Sequence, residues 1–236
     1  SSSTDLFGFR DTAILEQLFQ KFSVSKIISS PNHEICLVIL AIQELSIMTV
    51  VLNYQALLLF LIAHTAVMYQ MLAYEMLSFN DFENLAENKA VAKEKIPRLI
   101  ERHSLTIVAI DELKSLYSVP IGVNFGSNAV CISLFFYLSL QEWLSFMPIL
   151  VYCFLVFFLY CFLCQRLINA SEAFERATYC CGWENFELKE QKLVYVMLRQ
   201  AQKAVEILAA GIIPVNIYTF ATTLQAMFKF VTVVKF

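Results

Sequence analysis

Two polar side chains and a valine near the end of the chain have the types and spacing that could do chemistry. Gln225 lies one helical turn before Lys229, and Val233 shares a face with Lys229, Ala226 and Phe230 if the segment is helical. Twenty-two residues without formal charge, Ile207 to Phe228, follow Glu206 and lead into Lys229. At about 1.5 Å rise per residue such a run crosses a hydrocarbon core of roughly 30 Å. Polar groups in a lipid-spanning helix are costly and usually face a bundle interior or a water path. The threonines, the glutamine and the lysine of this stretch therefore point to a helix that lines a path across a membrane. At mid-bilayer Lys229 would cost about 2.5–3.5 kcal/mol. It is expected to snorkel, to pair with a neighbouring subunit or to sit in a water-filled vestibule.

Other candidate groups carry less. Cys161-Phe162-Leu163-Cys164 has a metal-like spacing but no nearby histidine pair, so the thiols read as packing groups, with no metal and no cofactor expected. His64 reads as a histidine hydrogen-bonded inside a helix bundle ahead of a proton site. A Gly-rich phosphate loop, Gly-x-Ser-x-Gly and His-Glu-x-x-His are all absent from the sequence, and nothing else in it marks an enzyme.

The elements that must position these groups are helices. Of 236 residues 58% are hydrophobic and 16% charged, with 21 Phe against 5 Gly and 5 Pro. A soluble domain of this length would carry about a quarter charged residues. The composition fits an all-α, polytopic membrane protein. A net charge of −3 without a basic stripe speaks against a nucleic-acid partner. Seven cysteines, mostly inside apolar runs, make no disulfide framework. The chain opens Ser-Ser-Ser-Thr without a methionine and is expected to start within a longer protein.

In order, residues 1–34 read as an extracellular loop region with one short amphipathic helix, Thr12 to Phe22. Residues 35–77 form a first span, longer than a bilayer needs and so tilted or projecting. The charge-dense block 78–114 continues as helix outside the membrane, with a break at Pro97. Residues 115–141 and 143–165 form two further spans joined only by Gln141-Glu142-Trp143, an antiparallel hairpin. Block 166–206 is a loop with an amphipathic helix, Lys189 to Lys203, and 207–236 is the final span. The blocks 78–114 and 165–203 carry six Lys and Arg each and the hairpin connection none, which places both blocks in the cytoplasm. Asn169-Ala170-Ser171 matches a glycosylation acceptor, but on this topology it faces the cytoplasm.

Three local patterns are superimposed on this profile: Ala177-Thr178-Tyr179-Cys180-Cys181-Gly182-Trp183, then Leu198-Arg199-Gln200-Ala201-Gln202-Lys203, then Phe228-Lys229-Phe230-Val231-Thr232-Val233-Val234. Their order and spacing resemble the C-terminal half of insect odorant receptors. That family carries a small-small-Tyr-x3-Trp element, an Arg-Ala-Gln-Lys/Arg-Pro-like element and a Ser-Tyr-Ser-x-Phe-Thr-Leu-Leu-like end. The departures are Gln200 between Arg199 and Ala201, Ala204 where proline is common, and Lys229 where a small polar residue is common. The resemblance covers essentially the whole chain, as spans four to seven of a seven-helix subunit.

What the resemblance implies is the odorant-binding, ligand-specific subunit of an odorant-gated non-selective cation channel. Its partners would be co-receptor subunits in a tetramer, a small volatile hydrophobic ligand, membrane lipid and permeant cations, in the plasma membrane of a sensory-neuron dendrite. The last helices would surround one pore, bordered by Gln225, Lys229 and Val233, with Val233 in the narrow apolar gate. The cytoplasmic blocks would anchor subunits to one another, with Tyr179, Trp183, Arg199, Gln202 and Lys203 in the anchor. The ligand would bind an apolar pocket in the outer half, partly walled by Leu45, Met48, Thr49 and Leu52 and by Phe146, Ile149, Tyr152 and Cys153. Two other readings stay open. A gustatory receptor of the same superfamily would end in a Thr-Tyr-five apolar-Gln-Phe pattern, whose slots here hold Phe228, Lys229, Lys235 and Phe236. A secondary-transporter fragment would need broken spans at matching places in two halves.

Overall fold

The computed structural model describes residues 32–81, 85–135, 140–203 and 205–235, so the short helix expected at Thr12 to Phe22 lies outside the described residues. Three long helices dominate: α1 (Asn32–Leu77, 46 residues), α2 (Leu85–Phe135, 51 residues) and α3 (Leu140–Tyr179, 40 residues). A shorter helix α4 (Leu188–Ala201) follows, then strands β1 (Leu208–Ala209) and β2 (Ile213–Pro214), and a closing helix α5 (Ile217–Lys235). At about 1.5 Å per residue the first three helices run roughly 60–75 Å, twice the thickness of a hydrocarbon core. Ile35–Asn80 and Phe146–Asn185 are, by length and composition, long and apolar enough to cross a membrane.

Their length corrects three sequence-based boundaries. Residues 85–135, most of the charged block 78–114 and most of the span 115–141, are one helix, α2, and it passes through Pro97 and Pro120 without a break. A proline in a helix interior costs about 3 kcal/mol, mainly through a lost hydrogen bond and a clash with the preceding turn. Here Pro97 is exposed, while Ala92, Ile96 and Leu99 beside it are buried and hold the turn against the core. Gln141, Glu142 and Trp143, expected as the whole connection between spans, lie inside α3; none of the three breaks a helix. The final segment 207–236 is helical only from Ile217, because a two-stranded turn occupies residues 208–214.

The described residues divide between Ala56 and Leu57 into two units. In the first, every side chain described from Ile35 to Tyr54 is exposed, most of them apolar. In the second, α2 packs against α3, α4, α5 and β1, and α3 packs against α4 and α5. Leu58, Ile62, Leu72 and Met76 of α1 meet Ile96 and Leu99 of α2 and Phe157, Leu167 and Phe174 of α3 in one continuous core. Outside lipid, each such side chain contributes about 1.5–3 kcal/mol by leaving water. Within lipid that gain vanishes, and close packing with satisfied polar groups replaces it. Thr106 and Thr178, both fully buried, donate to the helix carbonyls of Arg102 and Phe174 at 2.8 Å. An ion pair between Arg102 and Glu75 ties α2 to α1.

Candidate functional site

The closing helix is set in place by the turn before it. β1 and β2 pair antiparallel, Leu208 opposite Pro214 and Ala209 opposite Ile213. Gly211 turns the chain at φ 71°, a left-handed conformation that glycine adopts without steric cost. The turn is fastened to α2: Ala210 N donates to Ser118 O at 2.8 Å, and Ser118 Oγ donates to Leu208 O at 2.9 Å. Gly122, one turn further along α2, lets the backbone of Ala210 lie against it. Asn216 then caps α5, its Oδ1 accepting from Thr219 N at 2.8 Å. The hydroxyl of Thr219 donates back to Pro214 O at 2.7 Å.

With its start fixed, α5 buries one stripe and exposes the opposite one. Phe220 sits among Phe154, Phe157 and Phe158 of α3, with ring centroids 5.6, 5.0 and 5.6 Å away. One and two turns on, Leu224 and buried Met227 pack with Ile132 of α2 and Cys153 of α3. Tyr218, Gln225, Lys229, Thr232 and Val233 point away from the subunit, Tyr218 and Val233 being 75% and 78% exposed. The residues expected along a pore therefore share the exposed stripe. Thr222 and Thr232 satisfy their hydroxyls on the carbonyls of Tyr218 and Phe228, at 3.0 and 2.8 Å. Gln225 and Lys229 are the side chains on this face that call for water or for a neighbouring subunit.

The expected ligand set is divided between the two units. Leu45, Met48, Thr49 and Leu52 belong to the first unit and are all exposed, with Thr49 Oγ1 donating to Leu45 O at 2.7 Å. In the second unit Phe146 and Ile149 are exposed, Tyr152 is half-buried and Cys153 is buried. The hydroxyl of Tyr152 is itself buried with no partner among the described residues. An unpaired buried hydroxyl is costly, and a bound molecule could satisfy it.

The expected anchor residues surround the junction of α3 and α4 and the end of α4. Tyr179 is 65% exposed and Trp183 half-buried. Gln202 is exposed, and Arg199 and Lys203 line a cavity of about 540 Å³ together with Ile100 and His103 of α2. The sequence reading missed His103. It is 3% exposed, its ring centroid 4.6 Å from that of Phe174 and 6.1 Å from that of Tyr69. Burial pushes its pKa down to about 4, so the ring is neutral at physiological pH. His64 was expected inside the bundle and instead lies exposed, stacked on Phe60. The signal that could have separated the two is the apolar stripe of α2, Ile96, Leu99, Ile110 and Leu113, which His103 continues.

Fold and site together define a class, a helical membrane protein whose last helix turns a polar stripe outward from its own subunit. A model of the 7tm Odorant receptor family matches residues 21–228. The chain belongs to that family, the insect odorant receptors. It is 23% identical over 147 residues to an odorant receptor coreceptor of Aedes aegypti, a match covering 60% of this chain and 31% of that protein. With odorant receptor 67a of Drosophila melanogaster it shares 26% identity over 146 residues, 60% of this chain and 36% of that one. The chain thus spans about a third of the length of these curated relatives. Its fold matches the insect olfactory receptor OR5 from Machilis hrabei with a TM-score of 0.75 at 16% identity, over 87% of this chain and 53% of that one. The family is one of receptors and not of enzymes, as the missing catalytic motifs led us to expect.

Proposed function

We propose that this chain is the pore-bearing part of a ligand-specific subunit in an odorant-gated, non-selective cation channel, assembled as a tetramer with co-receptor subunits in the plasma membrane of a sensory dendrite. One observation carries the reading. Gln225, Lys229 and Val233 lie on the stripe of α5 opposite its packed face, which holds Phe220, Leu224 and Met227. A glutamine and a lysine directed out of a membrane subunit into hydrocarbon would be unstable, so this face belongs to a water path or a subunit contact. When subunits meet around an axis, such stripes face one another. Val233 then forms an apolar collar that excludes water until the helices part. A hydrophobic volatile bound near Tyr152 opens the collar only through a difference in affinity between closed and open states.

The test is co-expression of the full-length chain with and without a co-receptor, recording volatile-evoked current and its reversal potential. In the assembled channel Lys229→Ser should raise unitary cation conductance and strengthen selectivity for cations over chloride. Unchanged conductance and selectivity would take Lys229 out of the permeation path, and absence of any evoked current would refute the channel reading.

A further inference from the structure

Behind the packed face of α5 lies a cavity of about 460 Å³ that none of the roles above uses. Ile132 of α2 and Met227 of α5, 4% and 6% exposed, make its floor. Its rim is formed by Val151 and Phe154 of α3 and Phe228 of α5, all well exposed. The remaining lining side chains, Leu150 and Leu224, are also apolar. The cavity therefore opens on the outer surface of the helices, within their apolar stretch, and offers a guest no hydrogen-bonding side chain.

We propose that it is a binding site for a small, wholly apolar molecule, a hydrocarbon or terpene-like compound that reaches it from the surrounding lipid. Size and chemistry select this guest. A cavity of about 150 Å³ lined by aliphatic and aromatic side chains holds the six carbons of benzene, so one of about 460 Å³, three times as large, has room for a guest of up to roughly eighteen non-hydrogen atoms. A guest bearing a hydroxyl or carbonyl would find no partner in this lining and pay the full cost of burying it. Water is disfavoured for the same reason. A hydrocarbon already dissolved in lipid gains nothing from the hydrophobic effect on entering. It gains the dispersion contacts that an unfilled space denies to Ile132, Leu224 and Met227.

Position gives the guest a consequence. Leu224, Met227 and Phe228 belong to the same two turns of α5 that carry Gln225 and Lys229 on the other side. A molecule seated behind the helix holds it away from α2 and α3, and so sets how far the exposed stripe stands forward. Binding stands on the cavity alone, whereas this effect on conduction rests on the channel reading above.

The experiment is photolabelling of the full-length protein in phosphatidylcholine nanodiscs with an aliphatic diazirine of about ten carbons, a length that fits the volume. Peptides are then mapped by mass spectrometry. Label is expected on segments containing Leu150–Phe154 and Leu224–Phe228, and excess unlabelled n-decane should compete it away. Ile132→Trp fills the floor, and the milder Leu224→Phe narrows it should the first variant fail to fold. Both should lose this labelling, whereas Val130→Trp, an exposed site outside the lining, should keep it. Labelling unaffected by both filling variants, or confined to other segments, overturns the proposal. Odorant-evoked current without labelling here would remove this site and leave the channel reading intact. Labelling here without any current would keep the site and remove the channel reading.

Discussion

Gly122→Ala should loosen the fastening between α2 and the turn that launches the closing helix, and its magnitude can be worked from the contacts. In a helix interior alanine is better than glycine by about 1 kcal/mol. A Cβ added at Gly122 would meet Ala210 Cβ and Ala210 N at 2.7 Å and Ala210 Cα at 3.1 Å. Ordinary non-bonded contacts lie near 3.5–4.0 Å, so the turn must retreat by roughly 1 Å. Ala210 is held by its own N–H to Ser118 O at 2.8 Å, and such a retreat stretches that bond beyond a useful length. Overpacking against backbone costs about 1–3 kcal/mol and the lost hydrogen bond about 1 kcal/mol. Against the helix gain, a net loss of about 1–3 kcal/mol remains. Gly126, one turn along, supplies the control, because nothing lies within 4 Å of its added Cβ. Gly126→Ala should therefore stabilise by up to about 1 kcal/mol. The two substitutions are chemically identical and predicted to differ in sign. Thermal unfolding of detergent-solubilised full-length protein should place Gly122→Ala several degrees below the parent and Gly126→Ala at or above it. Amide exchange at Ala210 should quicken only in the first. A Gly122→Ala protein at least as stable as Gly126→Ala would refute the close approach and the reasoning built on it.

Two further outcomes are expected. Asn216→Ala removes the cap on α5 and should cost about 1 kcal/mol, with Asn216→Asp restoring most of it, measured by thermal unfolding. His103 is neutral in the fold with a pKa near 4, against about 6.5 in an unfolded chain. As pH falls below 6.5 the unfolded chain takes up a proton that the folded one refuses, so stability is complete above that pH and declines until about pH 4. The loss amounts to roughly 3 kcal/mol, and His103→Leu should flatten the pH dependence of unfolding between pH 4 and 6.5. A pH profile unchanged by that substitution would mean that the ring is hydrated.

Residue periodicity by itself defines the stripe on α5. Gln225, Lys229 and Val233 recur at helical spacing, and the structure sets all three on one exposed face. The positions of the long helices were legible for a similar reason, since runs of Leu, Phe and Val leave little choice in lipid. Helix ends were not. Pro97 is a strong local signal for a break, yet burial of Ile96 and Leu99 overrides it, and no window along the sequence contains the surfaces of α1 and α3 against which α2 packs. His64 and His103 show the same limit from the other side. The first sits in the more apolar stretch and is exposed, while the second sits among charges and is buried. Hydropathy averages over a helix, whereas burial belongs to one stripe of it.

The turn at 208–214 was the least legible element, and its physics explains why. By composition Ile207-Leu208-Ala209-Ala210-Gly211-Ile212-Ile213 continues an apolar helix, and Gly211 alone is a weak reason to end one. What ends it is partnership with residues ninety positions earlier. Ser118 supplies an acceptor to Ala210 and a donor to Leu208, and Gly122 vacates the space in which that backbone lies. Backbone groups in lipid must be paired, so an extended segment at that depth is tolerated only where protein pairs it. Ser118 and Gly122 meet that condition. They also fix the rotation with which α5 leaves the turn, and so decide which of its faces turns toward the core. Periodicity defines a stripe, but only this distant pairing determines where the stripe looks.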